Sequence, residues 1–233
     1  MLKHTYSSHG LDCGGTHIRD QVHGDILLPE KFMAIVDSLE FQRLRYVKQL
    51  ATAQYTFPGA THTRFEHSIG TFFVMQQILD HFERYFAALG QPELIKQDEK
   101  DLLLAASLLH DLGHTPFSHA LEDAMPNAKK VPHEKWTIDI ITNDKGHLNS
   151  ILKHYFGEDA PKKIADLILI QHDDMKDPFF PVSDIKLENI FHSLISSQLD
   201  ADRLDYIRRD SLATGFSYGL IDIDRLVSGF RIG

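Results

Sequence analysis

Apolar positions recur at helical spacing along most of the chain. Residues 1–20 are polar, Gly-rich and aperiodic, and are expected to form an irregular lead-in. The run 21–28 suits a short strand or extended turn, closed by Pro29, a residue that sits well near a helix start. Between 29 and 50, Phe32, Ile35, Val36, Leu39, Leu44, Val47 and Leu50 return at three- and four-residue steps, which predicts two short helices. Pro58-Gly59 marks a turn within 52–63. A long helix is predicted over 64–89, with Phe65, Ile69, Phe72, Phe73, Met75 and Ile78 as its buried stripe.

After a break at 90–96, residues 98–110 read as a nearly continuously buried helix through Leu102, Leu103, Leu104, Ala105, Leu108 and Leu109. Gly113 and Pro116 end it, and Pro116 suits the first turn of a short helix at 117–124. A loop is expected at 127–132, then helices at 133–142, 148–156 and 162–172. An irregular excursion follows at 173–189, then a helical stretch at 190–210 and a last helix or strand end at 223–230. The pattern predicts an all-α bundle with short irregular or β segments near the N-terminus, forming one domain over 1–233. The ending Phe230-Arg231-Ile232-Gly233 carries neither a charged tail nor a cap, as expected for the N-terminal part of a longer chain.

Composition narrows the function classes. With 233 residues and 42 % apolar content, the chain supports one substantial core. A formal charge of -9 argues against a dedicated nucleic-acid binder. It leaves room for an anionic substrate, because a metal and a few arginines reverse the field inside a cleft. Cys13, the single cysteine, cannot form an intrachain disulfide, which suits a reducing compartment. No signal-peptide core or run of eighteen apolar residues is present, so a cytoplasmic protein without a membrane partner is expected.

The 15 histidines matter through their placement. Four segments offer imidazoles and carboxylates: Arg64-Phe65-Glu66-His67, His110-Asp111 through His114 to His119, His133-Glu134, and Asp200 through Asp202-Arg203, Asp205-Tyr206 and Asp210. His110-Asp111 follows a run of Leu and Ala, where an ionised Asp is costly unless paired, hydrogen-bonded or bound to metal. For Asp111 alone, capping the following helix or pairing with an Arg is an open alternative. Two imidazoles and two carboxylates would make a mixed N/O set for Mn²⁺, Fe²⁺, Ni²⁺ or Zn²⁺. Spacing does not choose among Asp200, Asp202 and Asp205, and only a fold could unite segments so far apart.

The ordered motifs resemble the HD-domain superfamily of metal-dependent phosphohydrolases. They run from Val22-His23-Gly24 through Phe41-Gln42-Arg43-Leu44-Arg45, Lys48-Gln49-Leu50 and the segment from Phe57 to His67, to 110–119 and 200–210. The match is closest to the deoxynucleoside-triphosphate triphosphohydrolase branch, the SAM-and-HD-domain and dGTPase-like enzymes. This resemblance implies an HD-domain helical bundle with His67, His110, Asp111 and Asp202 on the metal. It further implies catalytic roles for His114, Glu122 and His133, with His119 as the acid facing the leaving oxygen. Arg64, Arg203 and Tyr206 correspond to phosphate contacts, and Gln49 and Asp210 to readers of the sugar 3′-hydroxyl. Two positions depart from the pattern: Glu122 stands where the mammalian enzyme has Asp, and Arg203 replaces a Lys, exchanging a point donor for a planar fork.

The implied reaction is attack at the α-phosphorus, giving a deoxynucleoside and tripolyphosphate, with Mg²⁺ accompanying the polyphosphate. The same resemblance implies a dimer or tetramer and a nucleotide-activation site at Asp37, Gln42 and Arg45. Helix packing is the plainer alternative for that last run. Alternative functions are a phosphohydrolase for a nucleoside monophosphate or other phosphoester, and a nucleotide-sensing module without turnover. His9, His17, His62, His81, His147, His154 and His192 carry no assigned role; surface exposure or ordinary hydrogen bonding is expected for them.

Overall fold

In the computed structural model the described residues are 14–92, 94–117, 131–169, 193–195, 197 and 199–231. Strand β1 (Gly15–Asp20) pairs antiparallel with β2 (Gly24–Pro29), placing Ile18 opposite Ile26. The turn between them is held by Asp20, whose Oδ1 accepts the backbone N–H groups of Val22 at 2.8 Å and His23 at 2.9 Å. Residues 15–20 are therefore a strand, not an irregular lead-in. Most of that strand is exposed, so it lacks the apolar alternation that reveals a strand, and pairing with β2 holds it. Ile26 and Leu28 of β2 are fully buried.

Helix α1 (Glu30–Val36) starts directly after Pro29 and buries Phe32, Ile35 and Val36. Ser38 caps α2 (Leu39–Gln42), its hydroxyl accepting the N–H of Phe41 at 3.3 Å. Two 3-10 turns follow, Arg43–Tyr46 and Ala51–Tyr55. Val47 and Leu50 thus leave the helical pattern expected up to residue 50. The chain around them pairs instead with residues 62–64: Gln49 donates to His62 O at 3.1 Å, and Arg64 donates to Val47 O at 2.9 Å.

Helix α3 (Arg64–Ala88) begins where Glu66 accepts the backbone N–H of Thr63 at 2.7 Å, half of a capping box. Phe65, Ile69, Phe72, Met75 and Ile78 are all buried, and Phe73 is partly buried against the same core. Such all-round burial makes α3 the central helix. It lies between α4 (Gln97–Leu109) and α8 (Ala201–Thr214). Helices α5 (His133–Ile141), α6 (His147–Phe156) and α7 (Ala160–Ile168) pack together, with α6 and α7 against α4. Helix α9 (Ile223–Ser228) packs on α3, which settles the last element as helical.

The stretch expected to be helical over 190–210 is interrupted. Residues 193–195 are helical, but a new helix starts at Ala201 and continues past 210 to Thr214. Asp200 makes the restart, its carboxylate accepting the N–H of Arg203 at 2.7 Å and that of Ser197 at 2.6 Å. Buried Leu194, Ile195 and Leu204 straddle this break, so apolar spacing carries no sign of it. The helix expected at 117–124, most of the 127–132 loop and the excursion at 173–189 lie outside the described residues. Among the described residues no helix is long and apolar enough to cross a membrane.

Candidate metal centre

Three helix ends converge. The first turn of α3 supplies Arg64 and His67, the end of α4 supplies His110 and Asp111, and the first turns of α8 supply Asp202, Asp205 and Tyr206. Close approach depends on two glycines. A Cβ on Gly70 would overlap Asp205 Oδ1 and Arg209 Nη2 and lie 2.7 Å from Asp205 Cγ, so α3 and α8 meet only because position 70 has no side chain. A Cβ on Gly113 would likewise overlap His133 O and the backbone N of Thr137. Position 113 must stay bare for α5 to reach the 110–114 turn.

The tautomers of the two central imidazoles follow from their partners. His110 Nδ1 lies 2.8 Å from Ser107 O, a carbonyl that can only accept, so Nδ1 carries the hydrogen. His67 Nδ1 lies 2.7 Å from the carboxylate oxygen Asp205 Oδ2 and donates in the same way. Both Nε2 atoms therefore point elsewhere, buried and without a well-aligned hydrogen-bond partner among the described residues. They face carboxylates. His67 Nε2 is 2.9 Å from Asp202 Oδ1 and 3.5 Å from Asp111 Oδ2. His110 Nε2 is 3.5 Å from Asp111 Oδ1 and 3.6 Å from Asp202 Oδ1. Ligand atoms of His67, His110 and Asp111 lie within 4.8 Å of one another.

Two Nε2 atoms and two carboxylates aimed at one point need positive charge between them, either protons on the imidazoles or a metal ion. Burial lowers the His67 pKa, yet hydrogen bonding and attraction from Asp202 and Asp205 outweigh it and raise it to about 10. His110 moves up as well, burial being outweighed by Asp111 and Asp202. Burial would push Asp111 up, but Arg64, His110 and His114 hold it well below the usual carboxylate range. Asp202 also falls, its burial offset by His110 and His67. The field that keeps a proton on His67 favours a divalent ion in the same place, and the buried His/Asp cluster fits such an ion.

Asp205 anchors this arrangement from behind. It is fully buried and accepts from His67 Nδ1, from His23 Nε2 at 2.7 Å, and from Arg209 Nε and Nη2, each at 2.8 Å. Arg209 Nη1 continues to Asp20 Oδ2 at 2.8 Å, so the β-hairpin turn is tied to the His67 ring. A carboxylate on the far nitrogen of a ligating histidine fixes ring orientation and raises its basicity. Asp200 and Asp205 thus occupy helix-capping and ring-orienting positions, while Asp202 faces both Nε2 atoms. Asp111 does pair with an Arg: Arg64 Nη1 donates to its Oδ2, while its Oδ1 faces His110 and His114.

His114 is 2 % exposed, with Nε2 at 3.2 Å from Asp111 Oδ1. Its ring stacks on His133, centroids 3.7 Å apart, and Asp111, His114 and His133 form a second close triple. Burial, aided by Arg64 and His133 against the pull of Asp111, lowers the His114 pKa to about 4, so it is neutral at pH 7. Arg43 braces the turn by donating to His114 O at 2.7 Å and to Leu112 O. Thr137 Oγ1 accepts from Gly113 N at 2.8 Å and donates to His110 O at 3.2 Å. His119 and Glu122 lie outside the described residues.

Toward solvent, Arg203 and Tyr206 are half-buried on α8, the Tyr206 ring centroid 6.5 Å from that of His67. Gln49 Oε1 is buried without a hydrogen-bond partner among the described residues, and Asp210 Oδ1 meets His62 Nε2 at 2.7 Å. Asp37 is exposed. Arg45 Nε donates to Gln42 Oε1 at 2.7 Å and stacks 3.5 Å over Phe65, while Gln42 Nε2 donates to Val36 O at 2.8 Å. Residue type gives no role to Arg43 or His23, whereas His62 makes the ordinary hydrogen bond expected of it and Arg209 pairs with Asp205, as one of the arginines expected to do so. His23 and Arg43 stood out only as parts of the motif order.

The HD domain family model matches residues 64–207. A deoxynucleoside triphosphate triphosphohydrolase SAMHD1 homolog of Dictyostelium discoideum is 36 % identical over 222 residues, covering 92 % of this chain and 39 % of its own length. An uncharacterized protein of Bacillus subtilis is 36 % identical over 214 residues, covering 91 % and 43 %. The crystal structure of a phosphohydrolase from Bacteroides thetaiotaomicron superposes with a TM-score of 0.70 at 32 % identity, covering 91 % of this chain and 46 % of that one. The chain spans less than half the length of each of these relatives.

Proposed function

Because the chain belongs to the HD-domain superfamily of metal-dependent phosphohydrolases, we propose that it hydrolyses deoxynucleoside triphosphates to deoxynucleoside and tripolyphosphate, with His67, His110, Asp111 and Asp202 holding the metal. One observation carries the metal part: two buried Nε2 atoms, each turned by a bond at Nδ1, face the same two carboxylates. The donor set suits Mn²⁺, Fe²⁺, Ni²⁺ or Zn²⁺. Bound there, a divalent ion supplies Lewis acidity toward a phosphoryl oxygen and makes water more acidic.

The chain's own groups perform the rest. Arg64, whose Nη1 meets Asp111, carries positive charge at the edge of the cluster and offsets charge on the polyphosphate. Arg203 adds a planar fork next to Asp202, and Tyr206 offers a hydroxyl one turn further along α8. His114 is neutral, so it steers or accepts the proton of the attacking water instead of competing with the metal. His133 stacks on it and keeps its ring in place. Protonation of the departing 5′-oxygen by His119, and a link from Glu122 to His114, come from the family pattern. Mg²⁺ would enter with the polyphosphate. The triphosphate substrate is supported by the name of the Dictyostelium relative and by the Gln49, Arg64, Arg203, Tyr206 and Asp210 set. Activation by dGTP through Asp37, Gln42 and Arg45, in a dimer or tetramer, belongs to the same proposal.

Metal-reconstituted protein is to be incubated with each dNTP, alone and with a little dGTP, while nucleoside, tripolyphosphate and orthophosphate are resolved. Equal amounts of deoxynucleoside and tripolyphosphate are expected. Monophosphate or orthophosphate as the main product sinks the triphosphohydrolase reading, and binding of dGTP with no turnover of any dNTP would favour a sensor.

A further inference from the structure

A further histidine–carboxylate pair lies at α8 beyond the cluster. His62 Nε2 lies 2.7 Å from Asp210 Oδ1, the two side chains being 10 % and 13 % exposed. A carboxylate oxygen accepts, so the ring donates from Nε2. His62 Nδ1 is buried without a hydrogen-bond partner among the described residues, which leaves Asp210 to set the ring's orientation, and the ring to set that of Asp210. The main chain of the same residue makes a second link, its carbonyl accepting the N–H of Gln49 at 3.1 Å. Neighbouring pairs hold this segment flat: Lys48 bridges Thr63, and Arg64 donates to Val47 O at 2.9 Å.

Asp202, Tyr206 and Asp210 follow each other at four-residue steps, so they share one face of α8. Asp210 is then about 12 Å along the helix axis from Asp202. Phosphates held at the cluster would place the sugar toward this end of the face. Gln49, whose main chain meets that of His62, presents a buried amide oxygen without a partner among the described residues. His62 joins these two groups, one through its ring and the other through its carbonyl.

We propose that His62 is a positioning residue for sugar recognition: its Nε2–H fixes the Asp210 carboxylate, and its carbonyl fixes the Gln49 backbone, so that both meet the substrate's 3′-hydroxyl. The inference rests on the reading above, in which Asp210 and Gln49 face the sugar. With Oδ1 held by His62, the second carboxylate oxygen accepts a hydrogen bond from the hydroxyl. Without His62, Asp210 turns toward water and the preference for a 3′-hydroxyl falls.

The test compares kcat/KM for dATP and 2′,3′-dideoxyATP in the metal-loaded wild type, His62→Ala and His62→Gln. Loss of one hydrogen bond to a charged group predicts about a tenfold fall in the dATP preference of His62→Ala, expressed mainly in KM. His62→Gln, whose amide reaches the Nε2 position, restores most of it. The His62→Ala/Asp210→Ala pair should be no less selective than Asp210→Ala alone. If His62→Ala does not fold, His62→Leu fills similar volume without a donor and carries the same expectation. A merely structural role lowers both substrates equally and keeps their ratio, which overturns the inference alone. Wild type that turns over neither nucleotide, or shows no 3′-hydroxyl preference, overturns the parent reading and this inference with it.

Discussion

Replacing Gly70 by Ala sets two effects of opposite sign against each other. In an exposed helix interior the change stabilises by about 1 kcal/mol, because Ala restricts the unfolded chain and favours helix. At position 70 the new methyl would overlap Asp205 Oδ1 and Arg209 Nη2. These atoms cannot swing away cheaply: Asp205 is fully buried, Arg209 is 4 % exposed, and both are held by several hydrogen bonds. Overpacking costs about 1–3 kcal/mol, and separating a buried charge pair about 3–5 kcal/mol. Net destabilisation of about 3–7 kcal/mol follows, equivalent to a fall of roughly 6–28 °C in Tm for a chain of this size. His67 also loses its orienting contact, so metal affinity should drop by about 10–100-fold. Thermal unfolding with and without metal, together with metal titration, measures both. A variant as stable as the wild type, or more so, would refute the claim that α3 and α8 are held at glycine-limited distance.

Three further outcomes are expected. Asp205→Asn keeps the shape but removes the charge behind His67, and should weaken metal binding about 10–100-fold while leaving helix content unchanged by circular dichroism. Because His67 is held near pKa 10 and His110 is raised, metal uptake at pH 7.5 should release at least one proton. Calorimetry in buffers of different ionisation enthalpy reads this as a slope, and zero slope would exclude the two imidazoles as ligands. His114, near pKa 4 when folded against 6.5 when free, takes up a proton in the unfolded chain first, so its contribution is complete above pH 6.5 and lost as pH falls to 4. Denaturant unfolding should show the wild type losing about 3 kcal/mol relative to His114→Asn between pH 7 and pH 4; parallel curves would contradict the buried neutral imidazole.

Long, strongly periodic helices were legible from residue spacing alone. The bounds of α3, α4, α5 and α6 fall within a residue of expectation, because each buries a continuous apolar face. Strand β1 was not legible: most of its residues face solvent, and pairing with β2 rather than apolar alternation makes it a strand. The restart of α8 at Asp200 was equally hidden, since a side-chain cap interrupts the backbone without disturbing apolar spacing. In the cluster, residue types suggested a metal, but choosing Asp202 over Asp200 and Asp205 required the family pattern. Their different tasks depend on which side of the helix N-terminus each carboxylate occupies. The roles of His62 and His23 were not legible because each acts through a partner more than a hundred residues away in the chain. Contacts of that kind leave no local signal.

The central claim is a divalent ion held jointly by His67, His110, Asp111 and Asp202, and metal occupancy tests it most directly. Wild-type protein and Asp202→Ala are each to be reconstituted with Mn²⁺, freed of excess metal and analysed by inductively coupled plasma mass spectrometry alongside the protein concentration. The account predicts tightly retained metal in the wild type and its loss from a folded Asp202→Ala variant. Stoichiometric metal retained by that variant would contradict the assigned site.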